Sequence, residues 1–262
     1  MADEERTKYG YLAIRPFTIL GILGVIGFVL SILSFQFAPP FQWILLVISV
    51  PLAVIGLWLG AAYFVLYKTV FRIDHAGPFW ASETGFFDTL RGTEEILDVG
   101  CGTGRVAIGM AKQLTSGLVV GIDIFEWVSG NSPDIPTENA RIEGVSDRTE
   151  FQYGDAIDIP FEDARFDIVT MDSVLHEIEE DELKAQALAE VNRVLKPGGR
   201  FVTLELIRNR KMFTWLLFFA FVFKPLEYWS TLFGGYTDFE IGEPHIIKGP
   251  IDSVVYIMTK PK

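Results

Sequence analysis

The residues able to do chemistry sit at the ends of short apolar runs. From Glu95 to Arg105 the chain reads Glu-Ile-Leu-Asp-Val-Gly-Cys-Gly-Thr-Gly-Arg. Glycines at Gly100, Gly102 and Gly104 alternate with Cys101 and Thr103, and Asp98 precedes the first by two positions. A side chain at those glycines would hold a ligand off the backbone. Strand, glycine turn and helix in that order open a nucleotide-binding unit. The turn alone is not diagnostic, because dinucleotide sites use one too, here with GxGxG spacing in place of GxGxxG. Asp123 closes the second run, with Ile124 after it, where a carboxylate can accept hydrogen bonds from ribose hydroxyls. Gly154-Asp155-Ala156 follows the third, where a carboxylate can face an adenine edge. After the fourth comes Met171-Asp172-Ser173-Val174-Leu175-His176-Glu177. Asp172 can orient a bound molecule or take its proton. His176 has the ordinary pKa of a general base, and equally the position of a satisfied histidine opening a helix. Glu205 is a weaker third candidate. Cys101 has no histidine in sequence reach and reads as a small residue of the turn, not a nucleophile.

These residues must be positioned by regular elements. The apolar pattern predicts strands over 95–99, 118–124, 150–153, 166–171, 200–207 and 253–259. It predicts helices over 82–90 (Ser82 as N-cap), 105–114, 137–145 and 180–195, the last ended by Pro197-Gly198-Gly199. Alternation of this kind implies a parallel sheet with helices on both faces. Phe79, Trp80, Phe86 and Phe87 are expected to pack on the domain or at a membrane surface, and Trp127 to Asn131 to form a flap after Asp123.

The 262 residues are half hydrophobic, and residues 16–67 carry no Asp, Glu, Lys or Arg. Phe17–Ala38 and Phe41–Tyr67 are each long enough to cross a hydrocarbon core of about 30 Å as a helix. A few residues around Pro39-Pro40 join them, so they form an antiparallel hairpin, and Gly21, Gly24 and Gly27 allow close packing. Arg6, Lys8 and Arg15 precede the hairpin and Lys68 and Arg72 follow it, while its tip is uncharged, so both ends face the cytoplasm. The organisation expected is a cytoplasmic tail (1–15), two transmembrane helices (16–67), a linker (68–92) and a catalytic domain (93–262). That domain holds an apolar insertion at 208–235. Within it Met212–Phe223 is too short to span, and reads either as a core helix or as a helix in the bilayer interface. The flanking Arg208, Arg210, Lys211 and Lys224 favour the second. The net charge of −12 argues against a nucleic-acid partner. Three histidines and one cysteine without CxxC or HxxxH give no zinc pattern.

Taken together, Ile96–Gly104, Gly121-Ile122-Asp123, Gly154-Asp155-Ala156, Phe166-Asp167-Ile168-Val169 and Leu195–Gly199 resemble, in order, the motifs of class I S-adenosylmethionine-dependent methyltransferases. The nearest subgroup includes the ubiquinone- and menaquinone-pathway enzymes. The resemblance covers about residues 85–207. It implies a Rossmann-like, seven-stranded, mostly parallel α/β sheet with a reversed last strand, to which this chain adds the hairpin. It implies that Gly100, Gly102 and Gly104 bear on the cofactor's amino-acid end, Asp123 on the ribose, and Asp155 with Ala156 on the adenine. The cofactor set expected is then Asp98, Gly100, Cys101, Gly102, Gly104, Asp123, Ile124, Asp155, Ala156 and Asp172, with Asp172 and His176 as catalytic candidates. The function expected is a membrane-anchored, multi-pass methyltransferase whose partners are the lipid bilayer and a hydrophobic small-molecule substrate: a lipid, a quinone or a prenylated compound. Alternatives are an anchored methyltransferase of a soluble metabolite or protein, and a non-catalytic cofactor-binding regulator.

Overall fold

The computed structural model describes residue 9 and residues 15–69, 77–126 and 132–262. Alternating buried runs and helices build one sheet. Its strands are β1 (Glu95–Val99), β2 (Leu118–Asp123), β3 (Thr149–Tyr153), β4 (Phe166–Asp172), β5 (Leu195–Leu206), β6 (Glu240–Ile241), β7 (His245–Ile247) and β8 (Ser253–Thr259). The order is β3-β2-β1-β4-β5-β8-β6, with β7 also on β8. The first five strands of that order are parallel, and β8 is antiparallel to β5. Eight strands therefore fill seven positions: β6 pairs with one end of β8 and β7 with the other. The expected reversed strand is present, and the extra count comes from an edge broken after Gly242.

Helices α4 (Arg105–Ala111), α5 (Asp134–Ile142) and α6 (Asp181–Val194) cross between the parallel strands. Helix α4 stops three residues short of the expected 105–114. Helix α5 starts three residues before the expected 137, because Pro136 is tolerated in a first turn whose amide partners are missing anyway. The expected helix over 82–90 is instead a short α3 (Phe79–Glu83) and a 3-10 turn (Phe86–Thr89), broken at Gly85, which has a φ of 67°. Pro78, not Ser82, occupies the N-cap position. The aromatics of this stretch pack on the domain: Trp80 and Phe86 are buried with Val106, Ile108 and Val202, and Phe79 and Phe87 lie against the same cluster.

The apolar segment after β5 divides. Helix α7 (Arg210–Leu216) gives way to a 3-10 turn over Leu217–Val222, at a Leu217 φ of 52°. Its Met212, Leu216 and Ala220 are buried against Leu206 and Ile251, whereas Leu217, Phe221 and Val222 are exposed. Helix α8 (Leu226–Tyr236) belongs to the main core, so the expected insertion at 208–235 is in its second half part of the domain. Trp229 and Phe233 are buried, and Phe233 meets Tyr256 of β8 at 4.9 Å.

Before the domain, α1 (Arg15–Leu33) and α2 (Phe41–Thr69) are antiparallel partners, long and apolar enough to cross a membrane. Backbones touch where they cross: a Cβ on Gly24 would stand 2.5 Å from the Leu57 nitrogen, and one on Gly27 2.6 Å from that of Ala53. Ser31 donates to Gly27 O and meets Ser49 Oγ at 2.9 Å, so these two hydroxyls are satisfied within the hairpin. Trp58 of α2 stacks on Trp215 of α7 with ring centres 6.4 Å apart. Tyr9 is buried against the α4 side of the domain, and its hydroxyl donates to Glu143.

Candidate active site

At the carboxyl end of β1 the chain must turn sharply into α4. Gly100 and Cys101 both donate to Ile122 O, at 2.8 and 3.0 Å, which ties the turn to β2. Gly100 has a φ of 70°, and a Cβ there would strike Val174 at 2.4 Å. Gly102 differs: its φ is 52°, yet a Cβ would meet nothing within 4 Å. The first glycine is required by packing against the loop after β4. The second leaves an open ledge of bare backbone, the feature a bound ligand needs.

Asp123 fixes the height of that ledge. Its Oδ2 accepts from Gly102 N at 2.8 Å and its Oδ1 from Phe125 N at 2.6 Å. Beside it Ile124 is 53% exposed, and Phe125, itself buried, packs edge-on against Tyr153 at 5.2 Å. Asp155 is exposed, with Oδ1 accepting from Ile157 N, and Ala156 is half-buried behind it. Ledge, carboxylate and apolar slot thus follow in sequence across β1, β2 and β3, an arrangement that fits an adenosine carrying an amino-acid tail.

Two members of the expected cofactor set face inward. Asp98 is buried under the turn, where Oδ2 accepts from Ala107 N and Oδ1 from Thr170 Oγ1 at 2.7 Å. Burial lifts its carboxyl to about 7, against the pull of the Thr170 bond. Asp98 therefore caps α4 and pins β4 to the turn. Cys101 is buried, and burial, then Asp98 and Asp123, push its thiol well up, so it is no nucleophile.

On the other half of the carboxyl edge, Asp172 ends β4. Its Oδ2 accepts from Trp80 Nε1 at 3.0 Å and from Arg105 Nη2 at 3.3 Å, and Ser173 Oγ donates to its Oδ1. Ser173 has a φ of 63°, so the chain leaves β4 through a conformation that an L side chain tolerates poorly. Arg105 Nη1 also donates to Gly77 O, which fastens the stretch before α3 over the helix. The Trp80 and Arg105 contacts were not legible beforehand, since neither residue type in isolation signals a site.

Of the two readings open for His176, the contacts favour the satisfied histidine. Its Nδ1 lies 2.9 Å from Glu205 Oε2 and its Nε2 3.2 Å from Glu177 Oε1. Burial pushes the imidazole down, but the bonds to Glu177 and Glu205 outweigh it and hold the pKa at about 9. Both ring nitrogens are thus turned to carboxylates, which favour the protonated ring and occupy the atoms a substrate would need. Glu205, fully buried, also accepts from Leu175 N at 2.9 Å, so the pair anchors the loop after β4 to β5.

A cleft of about 410 Å³ opens beside this half, lined by Phe79, Glu83, His245, Ile247, Lys248 and Ile251 among others. None of its residues was a sequence candidate. It shares α3 with the Asp172 network, because Phe79 precedes Trp80. The expected flap over Trp127–Asn131 lies outside the described residues.

Comparison with known proteins agrees with this construction. Residues 96–199 match the family described as methyltransferase domain. The chain is 37% identical over 127 residues to a demethylmenaquinone methyltransferase of Lactiplantibacillus plantarum, covering 48% of this chain and 51% of that protein. It is 32% identical over 174 residues to one of Symbiobacterium thermophilum, covering 64% and 66%. The chain thus spans about half to two thirds of the length of these curated relatives. In fold it is similar to an S-adenosylmethionine-dependent methyltransferase of Methanosarcina mazei, with a TM-score of 0.57 at 23% identity, over 67% of this chain and 96% of the other. Residues 96–199 accordingly match a methyltransferase domain, and the fold is that of the Methanosarcina mazei protein.

Proposed function

We propose that this chain transfers a methyl group from S-adenosylmethionine to a hydrophobic small molecule taken from the bilayer: a lipid, an isoprenoid quinone or another prenylated compound. The observation that carries this reading is the contact of Trp58 with Trp215, by which a helix long and apolar enough to span a membrane rests directly on the domain that holds the ledge. Two relatives bear the name demethylmenaquinone methyltransferase, and that acceptor class is the one we carry over. Bound on the ledge, the cofactor supplies an electrophilic methyl group for an in-line displacement.

The chain's own residues supply position more than acid–base power. The Gly102 amide is held at ligand height by Asp123. Ile124, Tyr153 and Ala156 would cover the adenine, with Asp155 at its edge. Trp80 and Arg105 fix Asp172 at the end of β4, where a carboxylate oxygen can orient the acceptor and receive its proton. The His176–Glu205 pair holds the loop that carries Val174 against the turn.

Binding of labelled S-adenosylmethionine to the purified full-length protein is the first test. We expect saturable binding that Asp123→Ala weakens about tenfold or more, since a hydrogen bond to a charged group contributes about 1.5–3 kcal/mol. No binding by the parent protein contradicts the reading.

A further inference from the structure

The segment after β5 holds four basic residues and no acidic one between Arg208 and Lys224, in a chain of net charge −12. Its inner side is committed: Met212, Leu216 and Ala220 are buried with Leu206 and Ile251. Lys211 is also committed, to Asp252 at 2.9 Å. Its outer side is apolar and uncovered. Phe221 is 66% exposed and Val222 57%, with Arg208 over the Phe221 ring, and Arg210 is exposed at the start of α7. The position of this face relative to the hairpin says what covers it. Trp215 stacks on Trp58, ten residues before Lys68 along α2. The apolar span itself ends at Phe64, six residues beyond Trp58, so at 1.5 Å per residue the stacked pair lies about 9 Å below the end of the span. A short apolar segment fixed at that depth, with guanidinium groups at its rim, has the composition of an element lying at the boundary of headgroups and acyl chains.

We propose that residues 210–223 form a wedge seated in the membrane interface at the basic end of the hairpin, and that the acceptor reaches the site along it. This rests on the methyltransferase reading above for the acceptor, but not for the seating. The wedge has two contacts leading inward. Ile251 packs on Met212 and Leu216 on one side and lines the 410 Å³ cleft on the other. Phe223, at the end of the 3-10 turn, lies 5.1 Å from the His176 ring. The route proposed for a lipid-phase molecule runs from Phe221 and Val222, past Phe223 and Ile251, to the cleft next to α3.

Cys101 is the chain's single cysteine and is buried, so Phe221→Cys can be labelled selectively with an environment-sensitive fluorophore, with the parent protein as the labelling control. In vesicles of phosphatidylcholine and phosphatidylglycerol, we expect brominated acyl chains to quench this probe several-fold more than one at Glu162→Cys in the exposed turn before β4. Equal quenching at the two positions overturns the seating. Quenching that appears only as protein is crowded into the vesicles would assign the face to a second copy, and overturns it too. For the route, Phe221→Asp with Val222→Asp should raise KM for a lipid-phase acceptor about tenfold or more, with cofactor affinity unchanged. An unchanged KM overturns the route. Absent cofactor binding in the parent protein would instead refute the methyltransferase reading and leave the quenching result standing.

Discussion

The two halves of the sheet's carboxyl edge are built differently. Over β1, β2 and β3 the ligand surface is made of turns, and the Asp123 bonds to Gly102 and Phe125 are set by the chain's own path. Over β4 and β5 it is closed by side chains far apart in sequence. Trp80 reaches Asp172 across 92 residues, Arg105 across 67, and His176 reaches Glu205 across 29. The first half is a backbone device, on which one wrong side chain is fatal. The second is a network, in which the loss of one member is shared by the others. Cofactor affinity and acceptor handling should therefore respond separately to substitution.

The sharpest way to break that separation is at Gly102. Gly102→Val sets a side chain on the open ledge, and should lower cofactor affinity about a hundredfold. The fold should persist, because a Cβ at Gly102 meets nothing within 4 Å and the left-handed φ costs about 1–2 kcal/mol, somewhat more for a β-branched side chain. Isothermal titration beside a melting curve checks both parts. Asp123→Asn comes next: it keeps one acceptor oxygen for two amides, and should weaken cofactor binding about tenfold with little change in KM for the acceptor. Trp80→Phe belongs to the other half. It keeps the buried ring but deletes the bond to Asp172, and should lower Tm by about 4 °C and kcat by a few-fold, with cofactor affinity unchanged. Loss of cofactor binding in this variant would show that the two halves are one unit.

The smallest effect is a slope. His176 has its pKa raised from 6.5 to about 9, so its stabilising charge is fully present below 6.5 and is lost as pH rises through about 9. Tm should fall across that window more steeply in the parent protein than in His176→Gln. Asp98, near 7, titrates in both proteins and cancels in the comparison. Parallel curves would mean that the Glu205 pair is not ionic.

Legibility in the sequence followed the same division. The parallel sheet and the ledge between Gly100 and Gly104 came from local pattern, because turn chemistry is written in consecutive residues, whereas the reversed last strand came only from the family resemblance. The α3 break was missed because Gly85 decides it against a good helical pattern. The sequence left the role of His176 open because its partner Glu205 lies on another strand. The cleft was invisible for a related reason: its walls come from α3, β7 and the turn before β8, and none carries a motif. Residues 212–223 resisted a single assignment because one side is core and the other is exposed.

The central claim, that methyl groups pass to a molecule held in the bilayer, is tested most directly by incubating the full-length protein in vesicles with methyl-labelled S-adenosylmethionine, total lipid extract and aqueous extract. The account predicts label in an apolar, solvent-extractable product and none in the parallel reaction of Gly102→Val. Label confined to a water-soluble metabolite or to protein would contradict it.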